Sequence, residues 1–196
     1  MNIPSWTHKP INIDNLNTIQ LELKPLVEKY IPECFNNTQT IHTLYFPLTR
    51  EEVTAVSPAY VEMIKSTGFL DRWDISVFVA TSKLALDKPD IHIDHFDPEQ
   101  RCYGLNIPLF NCEGTYTIWY DATINRDPVN PKFQDLMSAR LIDHDKPYTE
   151  IDRLEVSTPA WVNVCIPHAP YSDHEETRVI ISARFSPEIH EYFKNP

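Results

Sequence analysis

The sequence predicts a mainly β fold, a sandwich or barrel with helices packed outside it. Three observations carry that expectation. After residue 70 the apolar pattern leaves a helical period for short, β-branched and aromatic runs separated by turn residues. Proline is abundant (17) and glycine scarce (3). Turns therefore fall to Pro, Asn and Asp, and the helix interiors of a bundle would reject most of those prolines. Finally, 196 residues suffice to bury a core as one domain, 1–196. Residues 1–70 form its helical N-terminal part and 71–187 its β core.

The elements follow in order. "DNLNTIQLELKPLVEKYI" (14–31) places Ile19, Leu23, Leu26, Val27 and Tyr30 roughly on one face of a helix, which Pro25 is expected to kink or divide. "TIHTLYFPL" (40–48) alternates like a strand, and "TREE" (49–52) has the capping-box pattern of a helix start. In "SPAYVEMIKSTG" (57–68), Ser57 caps a helix, Pro58 takes its first position and Gly68 stops it. Strands are predicted over 73–81, 90–94, 102–110, 115–122, 161–167 and 177–185. The polar, proline-bearing stretch 121–160 reads as a loop-rich insert of the kind that forms lids or binding loops.

Composition narrows the function classes. Hydrophobic content of 42% and charged content of 23% are ordinary, but the formal net charge is −11. That balance repels phosphate backbones and anionic membranes, so nucleic acid is disfavoured as a partner. No apolar run approaches the ~20 residues of a membrane span, and "MNIPSWTHKPINID" lacks the pattern of a signal peptide. Cys34, Cys102, Cys112 and Cys165 form no C-x-x-C pair, and reduced thiols in a cytoplasmic protein are expected. A Cys102–Cys112 bridge across a hairpin is the alternative in an oxidising setting.

The chemistry-bearing stretch is "IHIDHFD" (91–97), which interleaves His92-x-Asp94 with His95-x-Asp97. On a strand, Ile91 and Ile93 face one side while His92 and Asp94 face the other, a metal pair mounted with its back in a core. Asp97 precedes Pro98, a strand exit. The pattern favours His92 and Asp94, with His95 and Asp97 as the alternative. A third ligand is offered by "PHAPYSDHEETRVIISARF" (167–185), where Arg178 follows His168 by ten residues across a turn. In an antiparallel hairpin the two would come close together. Two histidines and one carboxylate form the facial triad of non-haem Fe(II) oxygenases, which leaves positions open for a bidentate 2-oxo acid and O₂. An arginine clamps the far carboxylate of such an acid better than a lysine.

The order H-x-D, then "LNIPL", then a histidine with an arginine ten residues on resembles the 2-oxoglutarate/Fe(II)-dependent dioxygenases. "HAPYSDHEETR" is similar to the C-terminal motif of their aspartyl/asparaginyl β-hydroxylase and prolyl 4-hydroxylase branches. The resemblance covers about residues 73–185. It implies a double-stranded β-helix (jelly-roll), Fe(II) as cofactor, 2-oxoglutarate as cosubstrate, and release of succinate and CO₂. His92, Asp94 and His168 match the iron ligands and Arg178 the 2-oxoglutarate clamp. Arg184, on the same strand face by parity, is the fallback clamp. Where some members carry Ser or Thr two residues after the clamp, this chain has Ile180, so Asn106 is the candidate second carboxylate contact. Aspartyl/asparaginyl hydroxylases can lack the iron carboxylate, which makes Asp94 a departure from them; a halogenase needs it missing, so Asp94 favours a hydroxylase. A peptide side chain or a small metabolite is the expected substrate. Trp119 and Tyr120 are expected in the core, and one of Trp161 and Asn163 in the cavity. The rival readings are a cupin-like metal-binding barrel, whose H-x-H and glycine-rich flanks are missing here, and a non-catalytic β-sandwich that binds no metal.

Overall fold

The computed structural model describes residues 6–32, 43–69, 73–83, 89–94, 103–129, 140–143, 145–185 and 189. Among the described residues, two antiparallel six-stranded sheets form a jelly-roll sandwich. The strands are β1 (His8–Pro10), β2 (Thr43–Leu48), β3 (Trp73–Thr81), β4 (His92–Ile93), β5 (Tyr103–Phe110) and β6 (Thr115–Asp121). They continue with β7 (Ile124–Val129), β8 (Arg140–Ile142), β9 (Thr149–Glu155), β10 (Ala160–Asn163), β11 (His168–Ser172) and β12 (Arg178–Phe185). The major sheet runs β1-β10-β5-β12-β3-β2 and the minor sheet β7-β8-β4-β11-β6-β9. The helices are α1 (Leu16–Tyr30), α2 (Arg50–Val56) and α3 (Pro58–Ser66).

Local chemistry explains the helix ends. Thr49 accepts from the Glu52 backbone N–H while the Glu52 carboxylate accepts from the Thr49 N–H, a reciprocal capping box. Ser57 accepts from the Tyr60 N–H, with Pro58 in the first turn. Gly68 follows α3 at φ 79°, a left-handed value that favours glycine. Pro25 does not divide α1, which is continuous through it and buries Ile19, Leu23, Leu26 and Val27 on one side. That apolar face outweighs the loss of one backbone donor.

Strand alternation splits the major sheet into two chemistries. Phe78 and Ala80 of β3, Leu105 and Ile107 of β5, and Val179, Ile181 and Ala183 of β12 share one apolar cluster with Leu23, Val53, Tyr60 and Ile64 from the helices. Their neighbours in sequence face the other way, into the sandwich. Pro108 lies in β5 beyond the end of its pairing with β10, opposite Ile180 of β12. Its register with β12 shifts between Val179 and Ile180, a local irregularity that accommodates it.

Three differences from the sequence reading have physical causes. The stretch 121–160 contributes β7, β8 and β9 rather than loop alone, because polar edge strands such as "TEIDRLE" carry little apolar alternation. His168 and Arg178 do not flank a hairpin ladder. β11 pairs with β4 and β6 in the minor sheet, whereas β12 pairs with β3 and β5 in the major one, so the turn between them crosses the sandwich. Cys165 is disulfide-bonded, contrary to the expectation of four reduced thiols, while Cys112 is free and buried. Sequence spacing carries no information on which distant thiols the fold brings together. Among the described residues no helix is long and apolar enough to cross a membrane.

Candidate functional site

The minor sheet mounts the histidines. His168 pairs in register with His92 on one side and Trp119 on the other, so the three residues form a row across β4, β11 and β6. Ile91 packs behind that row with Ile118, Tyr120 and Ala169, the apolar anchor that the alternation predicted. Strand β4 ends at Ile93, and the Asp94 backbone N–H donates to Val164 O at 3.0 Å. His92, Asp94 and His168, all buried, bring one ligand atom each within 4.8 Å of one another. Asp94 Oδ1 lies 3.6 Å from His92 Nε2 and 3.7 Å from His168 Nε2. His95 and Asp97, the alternative pair, lie outside the described residues.

Both imidazoles are oriented for the same task. His92 Nδ1 is 2.7 Å from Asp90 O, and His168 Nδ1 is 2.9 Å from Ile166 O. A carbonyl only accepts, so each Nδ1 is assigned the proton and each Nε2 presents its lone pair to the cluster. Such backbone anchoring of the far nitrogen is how metal-bound histidines are held. Burial, followed by the proximity of His92, brings His168 down to about 4, so it is neutral and ready to ligate at neutral pH.

The major sheet supplies the opposite wall. Tyr45, Val79, Asn106, Arg178, Ile180 and Arg184 line a cleft with His92, Asp94 and His168. It encloses about 470 Å³, counting its open mouth. Arg178 is 2% exposed, yet its Nε and Nη1 have no hydrogen-bond partner among the described residues. Burial lowers the pKa of its guanidinium, against smaller opposing influences from Cys112 and Tyr45. Arg184 leaves the same face of β12 and places Nη2 3.0 Å from Asp94 Oδ2. Asn106 lies in the cleft, with its Oδ1 already accepting from Ser182 Oγ at 2.5 Å.

Sequence reasoning missed Tyr45. Burial raises its hydroxyl pKa far above the usual phenol value, so it stays protonated, and the charges of Arg178, Arg184 and Asp94 all reach it. Only the register of β2 on β3, with Tyr45 opposite Val79, turns it inward, and no motif marks it. Trp119 lines the cleft and is fully buried as well. Trp161 instead joins the helix-side cluster, and the cleft takes Val162 and Val164 from that segment. The parity of β10 decides this.

The residues present fit a divalent metal together with an anion. Two imidazole nitrogens and one carboxylate oxygen converge as a ligand set. Arg178 holds buried donors with no hydrogen-bond partner among the described residues, and an anion would satisfy them.

No family model matches the chain, and no curated protein matches it. Solved structures do. HygX from Streptomyces hygroscopicus, with nickel and 2-oxoglutarate bound, is 11% identical at a TM-score of 0.51, over 92% of this chain and 81% of that one. A Pseudomonas putida prolyl-4-hydroxylase is 10% identical at 0.48, over 92% and 91%. A Trichoplax adhaerens prolyl hydroxylase, solved with a hypoxia inducible factor peptide fragment, is 13% identical at 0.47, over 98% and 89%. At such identity the likeness to HygX speaks for the fold.

Proposed function

We propose that the protein is a 2-oxoglutarate- and Fe(II)-dependent oxygenase that hydroxylates a peptide side chain or a small metabolite, with succinate and CO₂ as co-products. The observation that carries the reading is the pairing of a buried His92–Asp94–His168 cluster with a buried, partner-seeking Arg178 in one cleft. The solved HygX structure holds nickel and 2-oxoglutarate in a similar fold, which agrees with that pairing. In this reading His92, Asp94 and His168 hold the iron, and Arg178 binds the far carboxylate of 2-oxoglutarate. When bound, iron and 2-oxoglutarate together supply the oxidising power for attack on an unactivated C–H bond.

The chain's own tasks are positional. Asp90 O and Ile166 O fix the imidazole tautomers, so no proton has to leave either Nε2 before ligation. The Arg178 guanidinium offers a paired, planar donor set that a carboxylate satisfies. Tyr45, kept protonated by burial, donates to the same carboxylate in this reading, and Asn106 remains a candidate second contact through its amide nitrogen. Val79, Val162, Val164 and Ile180 give the rest of the cleft an apolar lining.

The test is an anaerobic titration with Fe(II) and 2-oxoglutarate, following the weak charge-transfer absorption in the green region. The wild type should develop the band, His92→Ala and Arg178→Ala should lose it, and His95→Ala should keep it. A band lost in His95→Ala and kept in His92→Ala moves the iron pair to His95 and Asp97. A metal-loaded wild type without the band sinks the oxygenase reading and leaves a cupin-like or non-catalytic barrel.

A further inference from the structure

We infer that Arg184 is a positioning residue that holds Asp94 as a one-oxygen metal ligand, and that position 104 is glycine to make room for it. The inference rests on the metal reading above. The two oxygens of Asp94 have different surroundings. Oδ1 faces both His92 Nε2 (3.6 Å) and His168 Nε2 (3.7 Å), while Oδ2 is held by Arg184 Nη2 at 3.0 Å. The Asp94 side chain is 2% exposed and that of Arg184 11%. At such burial the pair is not loosened by solvent, and breaking it leaves a buried charge uncompensated. A carboxylate free to turn can close both oxygens on a metal and occupy a position that an incoming ligand needs. With Oδ2 claimed by a guanidinium, Asp94 presents a single oxygen.

Gly104 supplies the independent observation. It pairs with Arg184 across the β5–β12 ladder. Gly68 and Gly114 have positive φ, at 79° and 67°, whereas Gly104 is in ordinary strand conformation that any residue adopts. Its reason for being glycine is space. A Cβ there would collide with Arg184 Nη1 and lie 3.2 Å from both Arg184 Cζ and Ser182 Oγ. The guanidinium therefore crosses over the bare backbone of β5 to reach Asp94, and a methyl group at 104 would push it off that path. A glycine inside a strand is otherwise a weakness, so a close approach is the physical reason to find one there.

The experiment uses the full chain and two metal probes, with Mn²⁺ affinity by calorimetry and the visible spectrum of the Co²⁺ form. Arg184→Gln and Gly104→Ala should each weaken Mn²⁺ binding about 10- to 100-fold, the range for residues that orient a ligand from behind. Each should also shift the Co²⁺ bands towards higher coordination. Arg184→Lys should recover part of the affinity. The double variant Arg184→Gln/Gly104→Ala should lose no more than the weaker-binding single variant, because both act through one contact. Unchanged affinity and spectrum in both single variants overturns the inference. Additive losses overturn the role given to Gly104. If Arg184→Gln does not fold, Arg184→Lys and Gly104→Ala keep a cation facing Asp94 and decide the matter by the same two readouts. A wild type that binds neither metal is a different result, because it removes the metal reading itself.

Discussion

Arg178 and Arg184 leave β12 on the same face and enter the same cleft, yet the fold treats the two ends of that strand differently. Arg184 has an ion pair within the protein, its Nη2 3.0 Å from Asp94 Oδ2, and only its Nη1 lacks a hydrogen-bond partner among the described residues. Arg178 is the more deeply buried, at 2% exposure, and its Nε and Nη1 lack partners among the described residues. The difference teaches how to read a buried charge. One that the chain itself satisfies belongs to the scaffold of the site, while one left wanting is a cost that folding alone does not justify and that a ligand relieves.

The largest effect expected is on stability, at the paired end. Arg184→Met should cost about 3–5 kcal/mol, because Asp94 would stay buried without its partner. Arg178→Met should move the other way and raise the stability of ligand-free protein by ~1 kcal/mol or more, since an unpaired buried cation is replaced by an apolar chain of similar length. Urea unfolding of the two variants beside wild type measures both signs. If both variants lose stability equally, Arg178 has a structural partner and the comparison fails.

A second test adds pH at the His168 end. In the unfolded chain His168 titrates near its ordinary 6.5, and in the fold near 4. Between those values the unfolded chain takes up a proton that the folded one refuses. Stability of metal-free protein is therefore full above 6.5, falls as pH drops through the window and levels off below 4, a loss on the order of 3 kcal/mol. Melting of chelator-treated protein at stepped pH checks this, and the slope between 6.5 and 4 should be shallower in His168→Gln. The Arg184 charge is one cause of the lowering, so Arg184→Met should raise the lower edge of the window. Arg178→Met should leave it in place.

At the other end, the proposed role of Arg178 predicts a loss of affinity for 2-oxoglutarate. Two charge-assisted hydrogen bonds to a carboxylate, at about 1.5–3 kcal/mol each, make a ~100-fold weakening of 2-oxoglutarate binding the expected minimum for Arg178→Met. Mn²⁺ affinity should hold. Calorimetry of the Mn²⁺-loaded protein reports both numbers, and a joint loss would mean that the two ends do not act separately.

The sequence made the candidate cluster legible and left its surroundings obscure, for a physical reason. His92 and Asp94 stand in a period-2 pattern with Ile91 and Ile93, and Arg178 and Arg184 share parity on β12, so local spacing suffices to place them on faces. The capping box at Thr49 and Glu52 and the stop at Gly68 are equally local. What decides the rest is which strands become neighbours. Tyr45 enters the cleft only through the register of β2 on β3, and Gly104 meets Arg184 only through that of β5 on β12. Strands β7 to β9 lie in a stretch whose polar edges hide their period. The crossing of the β11–β12 turn from one sheet to the other likewise has no counterpart in spacing, which by itself suggests a hairpin between His168 and Arg178.

Tyr45 gives the smallest and most discriminating test. It stands opposite Val79, which in turn stands opposite Ile180, one pleat along β12 from Arg178. Its pKa is pushed well up, chiefly by burial and then by the Asp94 charge, so near neutral pH the hydroxyl carries its proton and offers a donor to an anion. If that donor serves the carboxylate that Arg178 binds, Tyr45→Phe should weaken 2-oxoglutarate binding about tenfold, the worth of one hydrogen bond to a charged group. Mn²⁺ affinity and the Co²⁺ spectrum should not move. Weaker metal binding with unchanged 2-oxoglutarate affinity would assign Tyr45 to the Arg184 end instead, because Asp94 and Arg184 are the charges that the hydroxyl feels there. Combining Tyr45→Phe with Arg178→Met sharpens the answer. Two donors on one carboxylate should give losses that fall short of additive, whereas donors on separate ligands should add.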